Sequence, residues 1–257
     1  MDSTVSVRNI TKTFILNRKQ RKIQNTDEKL KVAVDSLSFD AYKGEIFGLL
    51  GPNGAGKTTT LRCISTLIKP DSGDIFIDNY SVIKDEDMVR SNIGFLTSDL
   101  KLEEFFSPNY LYDYFSKLHG VDPETSEIRK KHLFERFGID QFREVKVAEL
   151  STGMRQKAQI AISLVHDPDI IIFDEPTNGL DVLTAKVVTD YLIELKKQGK
   201  TIIVSTHIFS LVEKICDRVG IILDGKLKAI GTMKELLKPE ENLEDYFFKL
   251  VEGGEQA

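Results

Sequence analysis

The run Gly51-Pro52-Asn53-Gly54-Ala55-Gly56-Lys57-Thr58 carries the spacing G-x-x-x-x-G-K-[ST]. Those residue types suit one task, the capture of a chain of phosphates. Glycines let the backbone fold back tightly, so that successive N–H groups converge on an anion. Lys57 adds a cation that reaches β- and γ-phosphates, and the Thr58 hydroxyl is an oxygen ligand for Mg²⁺. The candidate phosphate-binding residues are therefore Gly51, Pro52, Asn53, Gly54, Ala55, Gly56, Lys57, Thr58 and Thr59. A second set of chemical groups lies far along the chain, where Asp169-Ile170-Ile171-Ile172-Phe173-Asp174-Glu175 ends in two carboxylates. Asp174 is placed to hold Mg²⁺ through water, and Glu175, one residue further, to act as general base on an attacking water. The expected activity is nucleoside triphosphate hydrolysis.

Both sets need positioning elements, and the pattern around them supplies these. The apolar run Glu45 to Leu50 reads as a buried strand, and Thr58 to Ile64 as an opening helix whose N-terminus adds partial positive charge at the loop. Ile170 to Asp174 is β-branched and apolar throughout, the pattern of a parallel strand buried on both faces. Further strands are expected over Thr4–Phe14, Val32–Asp40 and Asp74–Asp78, with a turn at Pro70-Asp71-Ser72-Gly73. Residues 17–31 form a polar, mostly basic insertion, residues 99–150 have a helical pattern, and Lys157–Val165 reads as a helix. Ser107 followed by Pro108 reads as a helix N-cap with proline at the first position. From 157 to 250 strands and helices alternate, as in α/β units.

Composition narrows the function classes. With 257 residues and 41% hydrophobic content, the chain suits one domain plus a small subdomain. A net charge of −5 argues against a chain-wide nucleic-acid binder. Cys63 and Cys216 have no metal-ligand spacing and read as two reduced, buried thiols. No secretory leader is expected from the Met1-Asp2-Ser3-Thr4 start, and no apolar run approaches the ~18 residues needed to span a bilayer.

Leu150-Ser151-Thr152-Gly153-Met154-Arg155-Gln156, just upstream of the acidic strand, resembles the L-S-G-G-Q signature of the ABC (ATP-binding cassette) ATPases. The other stations of that family follow in order. Glu175-Pro176-Thr177-Asn178-Gly179-Leu180-Asp181 is similar to the stretch from catalytic glutamate to D-loop, and Val204-Ser205-Thr206-His207 to the switch-histidine strand. Phe14 stands where the adenine-stacking aromatic belongs, and Ile93-Gly94-Phe95-Leu96-Thr97-Ser98 where the Q-loop belongs. The resemblance covers roughly residues 4–250.

It implies an α/β fold: a P-loop NTPase (RecA-like) core with a small antiparallel β subdomain and an inserted α-helical subdomain. One cassette would span 1–250, with 1–98 and 155–225 as nucleotide-binding core, 99–154 as helical and signature subdomain, 226–250 as C-terminal segment and 251–257 as tail. It implies ATP and Mg²⁺, and a catalytic set of Lys57, Glu175 and His207, the last contacting the γ-phosphate. Two subunits would close head-to-tail on two ATP molecules, with Ser151 and Gly153 reaching the opposite site and Asp181 crossing the interface. Two departures stand out. Thr152 and Met154 replace the usual Gly and Gln of the signature, and Ser98 stands where the Q-loop glutamine belongs. A serine is too short to reach Mg²⁺ without a bridging water. Ser98→Ala is therefore expected to change the ATPase rate of the isolated subunit only a fewfold, whereas a hundredfold loss, roughly 2.7 kcal/mol, would show direct participation.

The resemblance is strongest to the ATPase subunits of sodium-efflux (Nat-type) and drug-export systems. The expected partners are a second ATPase subunit, as homodimer or heterodimer, and an integral membrane permease on a separate chain. The cassette would be cytoplasmic, held at the inner face of the cell membrane through that permease and not by lipid, and would bind no nucleic acid. The alternative is a soluble ABC ATPase acting on ribosomes or nucleic acid; such proteins usually carry two cassettes or a long coiled coil, and this chain has neither. Of Phe105, Phe106, Tyr110, Tyr112, Tyr114 and Phe115, most are expected in the core, with a groove for a permease helix as the functional reading. The basic insertion reads as a solvated hairpin loop in preference to a lipid or nucleic-acid site, since Asp27 and Glu28 interrupt it. His119, His132 and His166 read as surface or packing residues.

Overall fold

The computed structural model describes residues 3–23, 25–97 and 102–254. Ser98 lies outside them. In chain order the elements are β1 (Ser3–Ile15), α1 (Arg18–Ile23), β2 (Leu30–Tyr42), β3 (Ile46–Leu50), α2 (Lys57–Ile64), β4 (Ser72–Ile77), β5 (Tyr80–Ser81), α3 (Glu86–Asn92) and β6 (Ile93–Thr97). There follow α4 (Pro108–Leu118), α5 (Pro123–Phe137), α6 (Thr152–Ser163), β7 (Ile170–Asp174), α7 (Val182–Lys197), β8 (Thr201–Thr206) and α8 (Phe209–Ile215). The chain closes with β9 (Arg218–Leu223), β10 (Lys226–Gly231), α9 (Met233–Leu236) and α10 (Leu243–Gly254).

Among the described residues these strands form two sheets. The larger has the order β10-β9-β3-β8-β7-β6, and its pairings from β9 through β6 are parallel. Every residue of β3, β7 and β8 is buried, which is why these strands show no polar–apolar alternation: both faces of the parallel sheet are covered, one in part by the smaller sheet. Alternation ends at β10, which folds back antiparallel on β9, so residues from 226 begin as the last strand of this sheet. The smaller sheet, β2-β1-β4-β5, is antiparallel. Its inner face (Val5, Val7, Leu37, Ile75) packs with Phe47, Leu49 and Leu61 in one core. A second core runs from Phe173 and Leu192 through α6 to Tyr112, Phe134 and Phe137, and so welds the helical segment to the sheet.

Local chemistry sets the helix ends. The Ser107 side chain accepts from the Tyr110 N–H at 3.3 Å, with Pro108 at the first position, as the sequence indicates. The helix read at Lys157–Val165 starts earlier, at Thr152, because Ser151 caps it by accepting from the Met154 N–H at 3.3 Å. The insertion at 17–31 is a hairpin connection that contains α1, closed at its root by the Leu16 N–H donating to Lys29 O at 2.8 Å. The short helix α3 has no counterpart in the sequence reading; Glu86 and Asp87 at its start were its available signal.

The aromatic cluster corrects the sequence reading. Only Tyr112 is fully buried, edge-on to Phe134 at 5.5 Å between centroids. Phe105, Phe106, Tyr110 and Tyr114 are exposed. An α-helix presents one stripe to a core, and Tyr112 with Leu111 occupies that stripe on α4, leaving Tyr110 and Tyr114 one turn apart on another face.

Candidate functional site

Strand β8 lies between β3 and β7, and its register brings their C-terminal ends together: Leu50 pairs Thr206, and Asp174 pairs Ser205. The glycine loop leaves β3 at this edge. At Gly56 φ is +106°, and a Cβ would stand 2.3 Å from Ala33 O; at Gly51 a Cβ would stand 2.3 Å from Ile222 O. Only glycine allows the loop to pass that close to β2 and β9. With Gly56 as its N-cap, α2 has no side chain covering its first N–H groups, which suits an anion.

Lys57 is 4% exposed. Its Nζ donates to Gly51 O at 2.7 Å and to Pro52 O at 3.2 Å, and stands 3.4 Å from Glu175 Oε1. An entering phosphate would compete with those carbonyls for an ammonium already aimed into the loop. Thr58 Oγ1 donates to Asp174 Oδ1 at 3.1 Å, and Ser205 Oγ bonds the same oxygen. A hydroxyl and a carboxylate are hard oxygen donors, and adjacent ligands of an octahedral Mg²⁺ lie about 3.0 Å apart for bonds of about 2.1 Å. The pair therefore fits Mg²⁺. Among the described residues no larger cluster of His, Cys, Asp and Glu could hold a metal, so the remaining ligands would be phosphate oxygens and water, as Mg²⁺ prefers. Ser205 is a partner of Asp174 to which sequence reasoning gave no role; a hydroxyl in an otherwise β-branched buried strand was the signal.

Glu175 follows β7 with φ of +55°, a left-handed conformation that costs a residue bearing a Cβ. The turn aims its side chain back at the loop. His207 Nδ1 stands 3.1 Å from Glu175 Oε1 and 3.0 Å from Oε2. The carboxylate thus sits between an ammonium and an imidazole, beside the lysine and metal ligands. That arrangement can orient a water and accept its proton.

Other sequence-selected residues are placed differently. Phe14 pairs with Lys31 across β1 and β2, two residues outward from the Ala33 that abuts Gly56, with Lys12 Nζ 5.9 Å from its ring centre. A half-exposed ring there can stack on a base whose phosphates lie in the loop. Gly153, two residues after the Ser151 cap of α6, lies beside Asp181 and Thr184. A Cβ on Gly153 would meet Thr184 Oγ1 at 3.2 Å and Asp181 Oδ2 at 3.7 Å. Asp181 caps α7: its Oδ1 accepts from the Leu183 and Thr184 N–H groups at 3.0 Å each, and Oδ2 from Thr184 Oγ1 at 2.7 Å. These bonds hold its pKa below the usual carboxylate value. Both oxygens are therefore engaged within the chain. The exposed neighbours Val182 and Leu183, which the sequence reading passed over, project from this turn.

Cys63 and Cys216 are free thiols whose burial raises them to about 11 and about 12. Alkylation at pH 8 is expected to run about a hundredfold slower than for an ordinary thiol at Cys63 and slower still at Cys216, and to become fast in denaturant. Mass spectrometry of iodoacetamide-treated protein checks this; rapid native labelling of either would contradict it.

A phosphate cradle at the end of β3, with carboxylates arriving from β7 across β8, is the arrangement of a P-loop nucleoside triphosphatase. Within that class, the family model described as ABC transporter matches residues 34–178. The chain belongs to that family: it is an ATP-binding cassette and an ATPase. It is 38% identical to the ABC transporter ATP-binding protein NatA of Bacillus subtilis over 237 residues, which cover 91% of this chain and 96% of that protein. It is 34% identical to the linearmycin resistance ATP-binding protein LnrL of the same organism over 206 residues, covering 80% of this chain and 66% of that one. Its fold superposes, with a TM-score of 0.78 and 26% identity, on a dimeric ATP-binding cassette in a post-hydrolysis state bound to ADP and Pi, covering 89% of this chain and 98% of that one. Among the described residues no helix is long and apolar enough to cross a membrane.

Proposed function

We propose that this ABC transporter ATP-binding subunit powers an exporter, with a sodium ion or a drug-like molecule as cargo. Support comes from the similarity to NatA along nearly its whole length and from the resistance role in the name of LnrL. The observation that carries the chemistry is Glu175, bracketed by Lys57 at 3.4 Å and His207 at 3.0 Å beside the Thr58–Asp174 pair.

In this reading Phe14 stacks on adenine, and the loop from Gly51 to Thr59 cradles the phosphates. Lys57 exchanges its loop carbonyls for β- and γ-oxygens. Thr58 and Asp174 hold Mg²⁺, which supplies charge neutralisation there. Glu175 takes the proton of the attacking water, and His207 fixes the carboxylate and reaches the γ-phosphate. A second copy or a related cassette presents Ser151 and Gly153 across the nucleotide. Val182 and Leu183 beside Asp181 give that interface its apolar contact. Separation of ADP and phosphate leaves two anions that repel, and the pair opens. The helical segment 99–154, including the start of α6, transmits the motion, and the groove along α4 takes a helix of a separate permease. The cassette then sits at the cytoplasmic face, bound to the membrane through that permease.

Reconstitution with the membrane protein encoded by the adjacent reading frame tests this. ATP-dependent movement of Na⁺ or of a drug-like dye in the outward direction is expected. ATPase activity stimulated by ribosomes and not by the membrane protein would favour the soluble-factor alternative.

A further inference from the structure

The groove beside α4 has a volume of about 580 Å³ and is lined by aromatic rings from Phe106, Tyr110, Tyr114 and Phe115. Phe106 and Tyr110 stack at 4.5 Å, and Tyr110 and Tyr114 at 6.4 Å, with planes within 17°. Those spacings bracket the 5.4 Å pitch of an α-helix, so the ladder can interleave with one face of a helix laid along it. Glu103 is the formally charged residue among its described lining, which suits a basic residue on that helix. The groove wall also carries two histidines, His119 and His166.

Resting on the reading of this groove as the permease site, we propose that docking there is proton-linked: the permease helix seats on the neutral His119–His166 pair and is released when the pair is protonated. The two rings stack with centroids 4.1 Å apart and planes 5° apart. His119 ends α4, and His166 follows α6. His166 Nε2 stands 3.0 Å from Ile93 O, which can only accept, so Nε2 carries the proton of the neutral ring. Nδ1, the remaining titrating atom, is buried with no hydrogen-bond partner. A proton added there would be a charge without a counter-charge in contact, facing a second ring that can also ionise. Burial depresses the pKa of His166 first, with His119 and Arg129 adding to it, while the bond to Ile93 and Asp167 oppose it. Burial also depresses His119. The surrounding charges are the Arg129–Asp167 pair at 3.4 Å, Lys200 at 2.9 Å from the same Asp167, and Glu103 in the groove lining.

The sign follows from desolvation. A helix seated on the pair removes water from the exposed His119 ring and lowers its pKa further, while His166 Nδ1 is already dry, so docking expels a proton held by His119. Affinity is complete above the free-state pKa values and falls as pH drops through them, by up to tenfold per pH unit for each proton expelled. Since both values lie below the ordinary 6.5, the loss begins below about pH 6.5.

The test uses the full chain and the detergent-purified membrane protein of the adjacent reading frame, with affinity measured from pH 5 to 8 at fixed ionic strength. The wild-type complex is expected to weaken as pH falls from 7.5 to 5 by up to about tenfold per pH unit below 6.5 for each proton expelled. His119→Phe keeps a stacking ring without a titrating group and should reduce the slope; the pair His119→Phe with His166→Gln should remove it. Basal ATPase activity and the thermal midpoint of each variant show that it is folded, and the single variant suffices if the double one is not. A flat wild-type profile, or an unchanged slope in His119→Phe, overturns the proton linkage while leaving the groove as docking site, provided that Tyr110→Glu still releases the permease. If Tyr110→Glu binds the permease normally, the groove reading itself falls. If Tyr110→Glu instead abolishes self-association of the chain, the occupant is a second copy and the proposal is wrong.

Discussion

Glu175→Gln is expected to bind ATP as the parent chain does and to hydrolyse it about 10²–10⁴-fold more slowly, a loss of about 3–5 kcal/mol of transition-state stabilisation. The amide keeps the size and backbone of the carboxylate but cannot accept a proton from water. The ATP-bound dimer, no longer consumed, should accumulate, and sizing with and without Mg·ATP measures it. Lys57→Ala should fail at the earlier step, because the buried ammonium is the side-chain cation aimed at the loop carbonyls. Its removal also leaves the Glu175 carboxylate with His207 alone, so nucleotide binding must be compared with the thermal midpoint. A Glu175→Gln protein that turns over at the parent rate would remove Glu175 from the base role. A Lys57→Ala protein with parental ATP affinity would show that the backbone N–H groups suffice.

If the groove takes the proposed permease helix, Tyr110→Glu and Tyr114→Glu are expected to free the chain from that permease while leaving ATP binding intact. Both rings are about half exposed and belong to the stacked ladder of the groove. Aromatic anchors at the centre of an interface commonly contribute 2 kcal/mol or more, about thirtyfold in affinity. Co-expressed with the permease, the parent chain should pellet with membranes and resist a moderate salt wash, because apolar contact is not screened as surface charge is. The substituted chains should stay in the supernatant. Nucleotide-dependent co-sedimentation with ribosomes, with indifference to the membrane protein, would refute the transporter assignment of this surface.

The phosphate loop, the acidic strand and their order were legible in the sequence because their physics is local. Glycines at 51 and 56, a lysine after the second and an apolar β-branched run before Asp174 each declare a conformation within a few residues. Strands β3 and β7 could be read because burial on both faces leaves an unbroken apolar run, Ile46–Leu50 and Ile170–Phe173. Helix α3 lacked such a stripe and was missed. What only the tertiary structure decided is which distant groups meet. The register of β8 between β3 and β7 places Ser205 on Asp174 and sets Glu175 between Lys57 and His207, and no spacing along the chain encodes that. Composition could not say which aromatics face inward, since a ring contributes the same hydrophobicity on either side of a helix. The packing of α4 on α5 and α6 buried Tyr112, exposed Tyr110 and Tyr114, and brought His119, at the end of α4, against His166, just after α6. Sequence fixes local conformation because few dihedrals are involved; partnership between remote side chains is settled by packing.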